Sequence, residues 1–130
     1  KQVDQLLKEK AKSTAAILLK ETELINGINF LAKKLDLDQN SVKDLVNNLG
    51  NKIGNLFLLI GNESNGKGFL TCYISKNLVE ERNLNAGQIV RELGEYIQGG
   101  GGGQAFLATA GGKNPSGISE ALKAGKKYIL

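Results

Sequence analysis

Two short spacings in this chain invite chemistry, and each fails at a residue the chemistry needs. Gly61-Asn-Glu-Ser-Asn-Gly66-Lys67 fits the G-x-x-x-x-G-K pattern of a phosphate-binding loop and follows an apolar run, LFLLI, as that motif requires. The next position must be Ser or Thr to hold magnesium, and a helix must then present its N-terminal amides to phosphate. Gly68 stands there instead, and FLTCYIS after it alternates like a strand, so GNESNGKG reads as a hairpin loop. Asp36-Leu-Asp38-Gln-Asn40 opens like a calcium loop, but Ser41 takes the place of the turn glycine and Asn47 that of the closing glutamate. Turn and helix-cap duty explains these acids. Glu80 and Glu81 precede Arg82 and could be proposed as acid and base, yet adjacent carboxylates on a surface are ordinarily solvated, and the sequence names no catalytic partner for them.

The residue types that are missing exclude more. Histidine is absent and Cys72 stands alone. That removes Ser-His-Asp and Cys-His catalysis, imidazole proton transfer, histidine-ligated metals, an internal disulfide, and cysteine-held zinc or iron–sulfur. We therefore expect no catalytic residue, no metal ligands and no cofactor held by this chain. Carboxylate, lysine, serine or backbone chemistry remains, or binding without chemistry. The Asn62-Glu-Ser64 sequon would matter only in a secreted protein. A lone cysteine inside an apolar run is compatible with a reducing compartment. No stretch has the length and apolarity of a membrane span, and the charged start KQVDQLLKEK is no signal peptide. A cytoplasmic protein is expected. The chain starts without Met, in what reads as mid-helix, like a piece of something longer.

The elements that must carry any site follow from periodicity. The length, 130 residues, suits one domain with a short appendage. Residues 1–19 repeat Val3, Leu7, Ala11, Thr14 and Leu18 at helical steps, a lysine-backed stripe that needs a partner. The globular part is expected over 20–130. Asn26-Gly27 between two extended runs is a hairpin signal. Val42, Leu45, Val46, Leu49 and Ile53 predict a helix over 41–53, with Asp38 or Ser41 as its cap and Gly50 as an objection inside it. LFLLI predicts a strand covered on both faces. A second helix is expected over 86–97, capped by Asn85 with Gln88, and a third from Pro115 to Gly125 behind Asn114. The alternation of elements implies an α/β, α+β-like fold: a mixed sheet of about four to five strands with helices packed on it.

Charge and glycine single out the chain's end. The net charge is +4, and the excess lies at the two ends, where basic residues can meet a polyanion. Lys113, Lys123, Lys126 and Lys127 gather in the last third, with Asn114 beside them. Arg91 sits in the second helix, where Glu95 stands four residues on. Gly99, Gly100, Gly101, Gly102 and Gly103 run consecutively, and Gly111-Gly112 follow one apolar strand later. Ordering five glycines costs much backbone entropy. The run therefore marks a place where side chains must be absent, either for backbone crossing a helix or for amides meeting an anion.

INGINFLAKKLD, DLVNNLGNKIG, LFLLIGNESNGKGFLTCYISKNL, LNAGQIVRELGEYI and above all GGGGGQAFLATAGGKNPSGISEAL resemble the C-terminal domain of alanyl-tRNA synthetases. That module is the DHH-associated domain, which also stands behind the catalytic lobe of DHH-family phosphoesterases. The resemblance covers residues 20–130, and its most specific part is the glycine run followed by A-x-A-G-G and a helix. The phosphoesterase relatives usually place histidine after their glycines; Gln104 stands here, which favours the synthetase branch. The resemblance implies a non-catalytic tRNA-binding and assembly piece that holds tRNA at its outer corner and links charging to editing. ATP, magnesium and zinc would serve other domains of the parent enzyme. Its partners would be tRNA and those domains, with a second copy possible through the helix over 1–19. Two rival readings stay open: the substrate-gripping lobe of a phosphoesterase, and mainly a dimerisation module. On physical grounds Lys113, Asn114, Lys123, Lys126, Lys127 and Arg91 are the candidate RNA contacts, because folded RNA is gripped through phosphates and shape.

Overall fold

The computed structural model describes residues 22–35, 39–64 and 66–129. The helix expected over 1–19, and with it the dimerisation surface, lies outside the described residues. So does Asp38.

Six strands form one mixed sheet in the order β1-β2-β3-β4-β6-β5. They are β1 (Glu23–Ile25), β2 (Ile28–Leu35), β3 (Leu56–Ser64), β4 (Lys67–Ile74), β5 (Gly99–Gly103) and β6 (Leu107–Gly112). The four to five strands expected from sequence omit β5. The opening hairpin turns on Asn26 and Gly27, whose φ values of 53° and 80° match the paired left-handed residues of a tight hairpin turn. Helix α1 (Gln39–Lys52) then crosses from β2 to β3, which pair in parallel, as such a crossover allows. The other neighbouring strands are antiparallel. GNESNGKG is mostly strand: β3 and β4 continue through it until Ser64 pairs with Lys67. Asn62 is fully buried within β3, so its sequon is closed to a glycan.

LFLLI is covered on both faces, as its lack of alternation implied. Phe57 and Leu59 face one core, with α3 (Ala86–Leu93) and α4 (Ile118–Gly125) packed over them. Leu56, Leu58 and Ile60 face the other, closed by Val42, Leu45, Val46 and Leu49 of α1. Gly50 brings α1 close to the sheet: a Cβ there would lie 2.5 Å from the Tyr73 ring. Its helix-propensity cost of about 1 kcal/mol is thus exchanged for contact.

Local winding departs from the sequence expectation at four places. Ser41 is the third residue of α1 and buried, so it is no N-cap. A short helix, α2 (Lys76–Glu81), follows β4 where none was expected, and it carries Glu80 and Glu81 on its exposed side. The helix expected over 86–97 is α-helical only to Leu93 and tightens to 3₁₀ winding over Gly94–Ile97. The last helix likewise enters through a 3₁₀ turn, Pro115–Gly117, and leaves through another, Lys126–Tyr128. Helix ends favour such tightening because unpaired carbonyls gain i→i+3 bonds there.

Candidate nucleic-acid interface

The glycine run is an edge strand. It pairs antiparallel with β6, Gly99 opposite Gly112 and Gly103 opposite Ala108. Glycine has poor strand preference, and packing supplies the reason it is used. A Cβ on Gly99 would stand 2.0 Å from the Gly111 carbonyl oxygen, and one on Gly101 would stand 2.2 Å from that of Thr109. On Gly103 it would meet the Ala108 Cα at 2.8 Å. The alternate positions differ: nothing lies within 4 Å of a Cβ on Gly100, and one on Gly102 meets only Arg91 Nη2 at 3.8 Å. Helix α3 and the 3₁₀ turn after it approach the same strand through glycines as well: a Cβ on Gly87 of α3 would lie 3.1 Å from the Gly103 carbonyl oxygen, and one on Gly94 of the turn 3.1 Å from that of Gly99. Close packing of main chain therefore accounts for Gly99, Gly101 and Gly103, but the backbone they meet is that of strand β6 and not the helix that the sequence reading offered. Gly111 and Gly112 lie within β6, not in a flexible loop.

The segment after β6 locks onto the turn after α3. Asn114 N donates to the Ile97 carbonyl at 2.8 Å, and its Nδ2 reaches the Tyr96 carbonyl at 3.4 Å. Its Oδ1 accepts from the Ser116 hydroxyl instead of capping the helix that follows. Gly117 packs so closely that a Cβ would fall 1.8 Å from the Tyr96 oxygen. The motif KNPSG thus fixes Tyr96, which is 39% exposed, and sequence reasoning missed that ring. Its position is set by the change of winding at Gly94, to which a 3.6-residue period is blind.

The candidate cations are spread. Arg91 is exposed on α3 beside Gly102, and no ion pair joins it to Glu95 among the described residues. Glu95 lies beyond the end of α3, in the 3₁₀ turn. Lys113 is exposed just after β6. Lys123 borders a depression of about 510 Å³ shared with Lys33, Lys34 and Ser119. Lys126 is tied to Glu23 at 3.6 Å. Lys127 borders a separate cavity with Glu92, Glu95, Tyr96 and Tyr128. Lys123 and Lys127, near neighbours in sequence, thus border different hollows.

The described titratable groups offer little reactive chemistry. Burial pushes the Cys72 thiol well above its ordinary range, so it is an inert core residue. Burial, and then the hydrogen bond to Glu92, push the Tyr128 phenol up and keep it a donor. Among the described residues no three His, Cys, Asp or Glu side chains converge as a metal site. No described helix is long and apolar enough to cross a membrane.

Comparison with known proteins adds the family context. A family model for the DHHA1 domain matches residues 27–130. An alanine–tRNA ligase of Christiangramia forsetii is 58% identical over 129 residues, which cover 99% of this chain and 15% of the ligase. One from Flavobacterium psychrophilum is 45% identical over 129 residues, covering 99% and 14%. The chain therefore spans about 15% of the length of these curated relatives. The crystal structure of the C-Ala domain from Aquifex aeolicus alanyl-tRNA synthetase superposes with a TM-score of 0.74 at 26% identity, covering 83% of this chain and 96% of that one. A DHH-domain protein described as a member of the s1p family of ribosomal proteins shares the fold, with a TM-score of 0.60 at 18% identity over 95% of this chain and 31% of that one.

Proposed function

The chain belongs to the DHHA1 domain family, and from that premise we propose that it is the C-terminal tRNA-binding and assembly domain of a bacterial-type alanine–tRNA ligase. It carries no catalytic constellation of its own and works in the cytoplasm, helping to deliver tRNA to the charging and editing sites of the parent enzyme. The observation that carries this reading is the 58% identity to an alanine–tRNA ligase over 129 residues. ATP, magnesium and zinc would belong to the parent's other domains, and no step here runs through them.

RNA contact would come from Arg91, Lys113, Asn114, Lys123, Lys126 and Lys127, with the glycine strand as the bare backbone between Arg91 and Lys113. Positive charges supply phosphate contacts, and main chain without side chains permits close approach. With the cations spread over several surfaces and Lys126 partly neutralised by Glu23, the isolated domain binds weakly. Tethering in the longer chain raises its effective concentration on tRNA already held elsewhere.

The test is tRNA binding as a function of salt, by the chain and by the full-length enzyme. For a few phosphate contacts, log K falls with log salt at a slope of about −0.9 per contact or shallower. A salt-independent interaction, or none even in the full-length enzyme, overturns the reading. The phosphoesterase alternative has its own assay: metal-dependent phosphodiester hydrolysis by the intact parent, which a ligase does not show.

A further inference from the structure

The cavity beside Tyr96 does not match the RNA-binding reading of the surface around it. It measures about 650 Å³ and lies between the end of α3 with its 3₁₀ turn and the end of α4 with its own. Leu93 and Ala124, both buried, line it alongside Tyr96 and Tyr128. Glu92, Glu95 and Lys127 complete the lining. In a chain of net charge +4 this hollow is locally negative, with two carboxylates against one ammonium. That balance attracts a cation.

We propose that this cavity is a socket for an arginine side chain presented by a protein partner. Tyr96 is the anchor: its ring is exposed while Gly117 and Asn114 hold its main chain. An aromatic side chain held in place supplies contact area at small entropic cost. The Tyr128 hydroxyl is already committed to Glu92 Oε2, which orients that carboxylate and the second ring. No ion pair or side-chain hydrogen bond takes up the Glu95 carboxylate among the described residues. A guanidinium fits this combination because it is planar and permanently charged. It stacks on a ring face and gives a carboxylate two parallel hydrogen bonds at once. A lysine ammonium has no flat face to stack, so the socket discriminates between the two cations. This contact shares only Lys127 with the residues proposed to meet tRNA: α3 would offer Arg91 to RNA on the glycine-strand side and the Glu92–Glu95 turn to a protein partner.

The experiment is an NMR titration of the whole chain with N-acetyl-arginine amide, the lysine analogue, and guanosine monophosphate as a nucleotide probe. Arginine amide is expected to shift the resonances of Glu95, Tyr96 and Tyr128 at millimolar concentration, with the lysine analogue clearly weaker. Glu95→Gln is expected to weaken the arginine response by about fivefold, the share of one exposed charge-assisted contact, while the rest of the spectrum stays native. Tyr96→Ala is expected to weaken it as well. No arginine response, equal response to the lysine analogue, or an unchanged response in Glu95→Gln overturns the socket. So does tighter binding of the nucleotide to the same residues, which would make the cavity a base pocket. Failure here leaves the salt dependence of tRNA binding untouched, so the two readings fall separately.

Discussion

At the middle of the sheet, β3 brings Phe57, Leu58 and Leu59 to 0% exposure, with helices over both faces. At its edge, β5 carries no side chain at all, and its main chain is gripped between β6 and α3. Both regions are close-packed, by opposite means. In the middle, interdigitating side chains fill space, and their rotamers can readjust to a change of volume. At the edge, backbone meets backbone, and no rotamer exists to absorb an added atom. The middle therefore grades its response to substitution by volume, whereas the edge responds by parity, forbidding a side chain at one glycine and tolerating it at the next.

That contrast can be broken by substitution and denaturant unfolding. The largest effect is expected in the middle: Leu59→Ala should cost about 3–5 kcal/mol, because Leu59 is fully buried and packs against Gly125. Next comes Gly101→Ala, which puts a methyl 2.2 Å from the Thr109 carbonyl oxygen. A loss of about 2–3 kcal/mol is expected as β5 and β6 part, and a native midpoint would show that the strands are not in contact there. A smaller effect of opposite sign is expected at Thr71, whose buried hydroxyl oxygen has no hydrogen-bond partner. Thr71→Val should be neutral or stabilising by about 1 kcal/mol, since an unpaired polar atom costs its desolvation. A clear loss would reveal a partner. The smallest change belongs to Gly100→Ala, within about 0.5 kcal/mol of native, because a Cβ there meets nothing within 4 Å. If Gly100→Ala costs as much as Gly101→Ala, the parity rule is wrong.

Much of the fold was legible because its signals are local. Asn26-Gly27 supplied the turn, the Val42–Ile53 stripe supplied α1, and the unbroken LFLLI supplied a strand buried on both faces. Asn85 accepts from Gln88 N at 3.1 Å, one half of the pair expected from their spacing. The edge strand was not legible, since five glycines have no periodicity and poor strand preference. Only the partner strand makes them extended. For the candidate cations, the sequence showed which residues they are but not how they are laid out. Sequence order put Lys123, Lys126 and Lys127 together, but the final 3₁₀ turn sends Lys126 to Glu23 and Lys127 to the hollow of Tyr96 and Tyr128.

The sequence by itself determined the absence of histidine chemistry, the family pattern of glycines before A-x-A-G-G, the hairpin, and the helices with clear stripes. These depend on residue identity or on neighbours a few positions apart. Tertiary structure alone decided that the glycines form a strand, that every second one is sterically required, and that Tyr96 stands exposed at a hollow it shares with two glutamates. Each of those depends on a backbone approach between segments far apart in sequence, such as Gly117 on Tyr96 or Gly94 on Gly99. A glycine's own sequence position carries no trace of the atom that would collide with its missing side chain.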